Sequence, residues 1–157
     1  MIKPIDDFAN LFGTSITIDE SLIVKKRDRY FLLPHSLKKL ASKDFFYAGT
    51  YLGKVKNGRF FPGFDLLRMM LEKKANRVIV NKKTEWLFIC GRDVFKRGIV
   101  EVTGLGKEGD HVLVLNSYGE CLGFGRVVSN LGGDKDRVVI KNISDIGDFL
   151  RREAHTI

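Results

Sequence analysis

From Ile5 to Phe12 the apolar positions fall three and four apart, so Phe8, Leu11 and Phe12 share one face of a short helix. Pro4 suits its first turn, Asp6 and Asp7 favour its N-terminal end, and Gly13 can stop it. Two β-like runs follow, SLIVKK and RYFLL, separated by Arg27-Asp28, which reads as a hairpin with a weak turn pair. Pro34 ends the second run, and HSLKKLA makes a brief helix with Ser36 as N-cap. FFYAGTYLGKVKNGRFFPGF reads as β throughout, with Asn57-Gly58 as its hairpin turn because both residues tolerate positive φ. In FDLLRMMLEKK the period returns to that of a helix, with Phe64, Leu67, Met70 and Leu71 on one face. The first 75 residues thus predict a small antiparallel sheet with three helices.

The pattern then changes. RVIVN is a short strand, and TEWLFICG is a short helix with Thr84 as N-cap and Gly91 just past its end. GRDVFKRG, residues 91–98, puts two glycines around what reads as a single helical turn carrying Arg92, Lys96 and Arg97. IVEVTG, HVLVLNS, CLGFGRVVS and RVVIKNI are four further β runs, a density that predicts a compact barrel. The expected fold class is therefore α+β. An N-terminal antiparallel sheet with flanking helices spans residues 1–75, and a C-terminal barrel spans residues 76–157.

Composition narrows the chemistry. With 44% hydrophobic and 29% charged residues the chain is of the soluble globular kind, and no apolar run approaches the ~18 residues of a membrane span. Cys90 and Cys121 form no CxxC, which argues against a zinc site or a disulfide scaffold and suits a reducing cytoplasm. The net charge of +8 favours polyanionic partners. Residues 1–75 hold 14 Lys/Arg against 8 Asp/Glu, whereas residues 76–157 hold 13 against 11. The second half can therefore attract a polyanion only through a local patch. His35, His111 and His155 belong to no metal-ligand motif, and no GxSxG, Walker or GxGxxG sequence is present. Gly123-Phe124-Gly125 lies inside a β run, where glycines let a strand bend or another chain approach. No enzyme activity and no cofactor are expected.

The order of strand, Gly-ended helix, basic turn and HVLVLNSYGECLGFGRVV resembles a PUA domain, the RNA-binding module named after pseudouridine synthases and archaeosine transglycosylases. FFYAGTYLGKVKNGRFF, FICGRDVFKRGI, LGFGRVV and the terminal DIGDFLRRE extend the likeness over nearly the whole chain. In these stretches it resembles the Nip-seven family of ribosome-biogenesis factors, in its shorter archaeal form. That resemblance implies a non-catalytic protein that binds U-rich or A/U-rich single-stranded RNA during large-subunit rRNA maturation. It also implies exosome subunits or other assembly factors as partners. The place of action would be the cytoplasm, or the nucleolus in a eukaryote.

The resemblance carries RNA binding onto Arg151 and Arg152. Beside them Arg92, Lys96 and Arg97 are expected to face outward as one phosphate-contacting patch, with Lys141 and Arg126 as outer members and Val94 and Phe95 as anchors. Gly98 would let the backbone turn or RNA approach. Lys25, Lys26, Arg27 and Arg29 are the densest cluster of the first half and are expected to meet a protein partner. Trp86 is expected in the core or at a seam, Tyr118 on an exposed turn, and the chain as a monomer. Three rival readings remain: a protein-interaction adaptor, an RNA-modifying enzyme, and a factor for tRNA rather than rRNA.

Overall fold

A computed structural model describes residues 2–104 and 106–148. They form two compact units. One holds the described residues up to Asn10 together with Ser15–Lys73; the other holds Leu11–Thr14 and the described residues from Lys74 onward.

In the first unit, helix α1 (Lys3–Asn10) carries Pro4 in its first turn and buries Ile5, Phe8 and Ala9. It stops before Leu11, which is exposed. Strands β1 (Ile23–Lys26), β2 (Arg29–Leu32), β3 (Thr50–Lys56) and β4 (Arg59–Pro62) form an antiparallel sheet in sequence order. Arg27 adopts φ 59°, the positive φ that tight hairpin turns need, despite having a side chain. Asn57 and Gly58 adopt φ 53° and 75°, as the Asn-Gly pair predicts. One face of the sheet packs Phe60 on Phe8 at a ring separation of 5.3 Å. Helix α2 (Phe64–Glu72) buries Leu66, Leu67 and Met70.

The brief helix after Pro34 is present, but its expected Ser36 cap and the expected start of the following β run are not. Residues His35–Ser42 form a 3-10 helix after Pro34, with no side-chain cap; Ser36 lies inside it. The β run expected from Phe45 begins only at Thr50, because Gly49 turns the chain at φ 64° with the Leu32 carbonyl directly against it.

In the second unit, β5 (Arg77–Val80), β6 (Val94–Phe95), β7 (Ile99–Thr103), β8 (His111–Leu115), β9 (Cys121–Val127) and β10 (Val138–Asp145) form a curled half-barrel in the order β6-β10-β9-β8-β5-β7. All pairs are antiparallel except β5 with β8. That parallel pair needs a long crossover, and residues 81–110 supply it. Val78, Val80, Phe88, Val112, Val139 and Ile140 are among the side chains of its core. Each such side chain stabilises the fold by about 1.5–3 kcal/mol when withdrawn from water.

Helix α3 (Lys82–Ile89) is capped by Asn81, whose side chain accepts from the Thr84 backbone at 2.9 Å, so the cap lies three residues earlier than expected. Thr84 and Phe88, four apart, point inward, and Trp86 between them faces solvent with 66% of its surface exposed. The expected buried Trp86 is thus corrected by helix geometry. The helix ends in a Schellman motif: Gly91 at φ 91° donates to the Phe88 carbonyl, and Arg92 donates to the Leu87 carbonyl.

GRDVFKRG is not a helical turn. Val94 and Phe95 pair with β10, and only Lys96–Gly98 is a 3-10 turn. Gly98 is buried, and a Cβ there would run into the Thr84 side chain. Its role is packing against α3 rather than approach of a ligand. Replacing Gly98 with alanine should lower stability by about 1–3 kcal/mol in urea unfolding, the usual range for overpacking. An unchanged midpoint would contradict this account of Gly98.

Candidate nucleic-acid interface

Strand β10 is the axis on which the basic residues of the second unit are placed. Lys141 lies directly opposite Arg126 of β9, and Arg126 lies directly opposite His111 of β8. Opposite residues share a sheet face, so Lys141, Arg126 and His111 form one row across three strands. Lys141 and Arg126 are exposed and His111 is half-buried. Among the described residues no carboxylate pairs with either cation.

The glycines of LGFG set this register. Gly123 at φ 143° lies against the Ser144 carbonyl and Gly125 against the Lys141 carbonyl, so a side chain at either position would push β9 off β10. What these glycines admit is the neighbouring strand β10 of the same chain rather than another chain.

Arg92 sits beside Asn142. The Asn142 side-chain amide donates to the Phe88 carbonyl at 2.9 Å and the Arg92 carbonyl at 3.3 Å, and its backbone N–H donates to Asp93 at 2.9 Å. These bonds pin the chain that leaves α3. Just before the start of β10, the Lys96 backbone donates to the Arg137 carbonyl and that of Arg97 to the Lys135 carbonyl. The Arg97 guanidinium pairs with Asp136 at 2.7 Å and lies 5.1 Å from the Phe95 ring. Both partners are well exposed, so the pair adds little stability. It does, however, spend part of the Arg97 charge locally.

The expected residues therefore divide. Arg126 and Lys141, taken as outer members, stand together at the centre. Arg92 sits beside Asn142 in the middle of β10, and Lys96 with Arg97 lies by the start of that strand; four residues of chain, at most about 14 Å, separate Arg92 from Lys96. Arg151 and Arg152 lie outside the described residues. Of the first-half cluster, Lys25 and Lys26 point to opposite faces of β1, Arg27 is in the turn, and Arg29 is on β2 beside Lys26. Val94 is fully buried, as an anchor should be, and Phe95 is half-buried.

His111 was not singled out by sequence, because only the strand register brings it beside Arg126. Its ring contacts Phe12 at 5.5 Å edge-on and Phe124 at 6.3 Å stacked. Its Nδ1 is buried without a hydrogen-bond partner among the described residues. Burial first, and the nearby Arg126 charge second, hold its pKa below the ordinary 6.5. Cys121 is buried, which pushes its thiol up to about 11 and makes it inert. Tyr118, 86% exposed, stands on the turn between β8 and β9 as expected.

A family model described as UPF0113 PUA domain matches residues 76–154. A UPF0113 protein of Archaeoglobus fulgidus is 34% identical over 113 residues, which is 68% of this chain and 63% of that protein. The match thus spans less than two thirds of that relative's length. Among solved structures, a conserved PUA domain protein from Thermoplasma acidophilum aligns with a TM-score of 0.60 at 20% identity, over 96% of this chain and 92% of its own. A PUA domain from Aeropyrum pernix, solved as a tartrate complex, aligns with a TM-score of 0.61 at 16% identity, over 99% of this chain and 88% of its own. At these identities the structures speak for the fold alone.

The depressed pKa of His111 has a sign. The unfolded chain takes up this proton first as pH falls, so the contribution is full above pH 6.5 and is lost from there toward the lower folded pKa. Wild-type stability should fall as pH drops below 6.5, and His111→Phe should flatten that fall, read by thermal unfolding. Equal pH dependence in both proteins would contradict the assignment.

Proposed function

The chain belongs to the UPF0113 PUA domain family, and on that footing we propose that it is a non-catalytic RNA-binding factor acting in large-subunit rRNA maturation. Its ligand is single-stranded, U-rich or A/U-rich RNA, held through the β8–β9–β10 face of the second unit. The role is that of the Nip-seven family, which the chain resembles in FICGRDVFKRGI, LGFGRVV and DIGDFLRRE. Exosome subunits and other assembly factors are its protein partners, and it works in the cytoplasm as a monomer without a cofactor.

One observation carries this reading. Arg126 and Lys141 stand directly opposite one another with no carboxylate partner among the described residues. Like charges in that position destabilise a sheet. A phosphate bridging them removes the repulsion and gains two charge-assisted hydrogen bonds. Arg92 beside Asn142 and Lys96 by the start of β10 extend the positive path along a backbone, and Arg97 contributes to the extent that Asp136 releases it. Backbone contacts of this kind position the strand, while exposed arginines also stack on unpaired bases. The resemblance carries RNA binding onto Arg151 and Arg152 as well.

Arg126→Glu separates stability from function. It places a carboxylate opposite Lys141, so the fold should gain about 0.2–1 kcal/mol. Binding of a U-rich single strand, followed by fluorescence anisotropy, should weaken at least about tenfold. For the wild type, about four phosphate contacts give a log–log salt slope near −3. Tighter or unchanged binding by the variant would overturn the reading. Equal affinity for a structured tRNA would favour the tRNA alternative, and a modified nucleotide appearing in the RNA would favour the enzyme alternative.

A further inference from the structure

The sheet of the first unit has a face that the RNA reading above does not use. Its register lines up Lys26, Arg29, Lys54 and Phe61 directly across four strands. Lys56 and its partner Arg59 lie two residues further along on the same face. Five cations therefore share one face, whereas the opposite face packs Phe60 on Phe8 of α1. Among the described residues no carboxylate pairs with any of the five. Lys26 is partly occupied, donating to the Ala41 carbonyl at 2.7 Å. Arg29, Lys54, Lys56 and Arg59 accumulate charge that the fold does not neutralise, at an electrostatic cost.

Aromatic rings lie among these cations. Phe31 is buried on the same face under Phe45, Tyr47 and Tyr51, at ring separations of 5.4–5.6 Å. Phe46 and Tyr47 come from the irregular segment before β3 and remain 71% and 58% exposed. The Arg29 guanidinium lies 4.2 Å from the centroid of the Phe46 ring. Tyr47 is propped edge-on against Phe31. Both rings are thus held in place by the sheet yet open to solvent, which a chain does not gain from for folding.

We propose that this face is a second binding surface for single-stranded RNA, in which Phe46 and Tyr47 stack on unpaired bases while Arg29, Lys54, Lys56 and Arg59 contact phosphates. Charge complementarity selects a polyanion, and the exposed ring planes select one with flat faces. An acidic peptide would satisfy the cations and leave both rings in water. The register also divides the Lys25–Arg29 cluster, because Lys25 pairs with Tyr30 on the opposite face and Arg27 occupies the turn. Lys26 and Arg29 alone of that cluster belong to this surface.

The test is ultraviolet crosslinking of oligouridine RNA to the full chain, followed by tryptic mapping. Cleavage after Lys43 and Lys54 releases DFFYAGTYLGK, residues 44–54, which should carry the crosslink. Phe46→Ala should abolish most of that crosslink and weaken oligouridine binding at least about fivefold, while Phe46→Trp retains it. Lys56→Glu/Arg59→Glu, both exposed, should weaken binding and reduce its salt dependence. In the Arg126→Glu chain the crosslink at 44–54 should survive, which keeps this surface distinct from that of the second unit. No crosslink in 44–54 would overturn the proposal. So would a Phe46→Ala chain of unchanged RNA affinity, or one in which only polyglutamate binding responds to the charge reversals.

Discussion

The second unit depends on how closely β9 approaches β10. Gly123 and Gly125 leave room for the Ser144 and Lys141 carbonyls, and no side chain larger than hydrogen fits there without moving one strand. That approach fixes the register, and the register decides which charges meet. It puts Lys141 opposite Arg126, sets Ile140 against Val127 in the core, and brings Asn142 within reach of the Phe88 and Arg92 carbonyls. The two-residue strand Val94–Phe95 is held from both sides, by the Asn142–Asp93 bond before it and by the Lys96 and Arg97 backbone bonds after it.

Electrostatics and stability pull in opposite directions on this face. A sheet optimised only for folding would place a carboxylate opposite Arg126. The chain places a lysine on one side and, on the other, a histidine whose pKa burial holds below the ordinary 6.5. Asp136 shows that the fold can neutralise a cation nearby. The contrast between the paired Arg97 and the unpaired Arg126 is a stronger indication of a binding face than net charge alone. The second half carries 13 Lys/Arg against 11 Asp/Glu.

Elements with a strong local signal were legible in the sequence. The Asn57-Gly58 turn, the Pro4 helix start and the Gly91 stop follow from backbone preferences of single residues, and all three appear. Signals that several residues could satisfy were not. Asn81 caps α3 where Thr84 offers the same residue chemistry, and Trp86 is exposed because Thr84 and Phe88, four apart, take the inward face of the helix. The parallel pairing of β5 with β8 joins residues more than thirty apart, which no local pattern encodes. The candidate site was legible as residue types and not as an arrangement. Arg126 and Lys141 entered as outer members and stand at its centre, and His111 is their neighbour only through the register. Arg29 and Phe46 are likewise joined by a fold contact that their separation in sequence hides.

His111 offers a direct measurement of the central claim, because Arg126 is one cause of its depressed pKa. The measurement is an NMR titration of its imidazole in the free chain and with saturating U-rich single-stranded RNA. A phosphate on Arg126 and Lys141 offsets the Arg126 charge at the ring while its burial remains, so the His111 pKa should rise in the complex. An unchanged pKa at saturation would mean that the RNA lies elsewhere, and it would contradict the placement of the site on β8, β9 and β10.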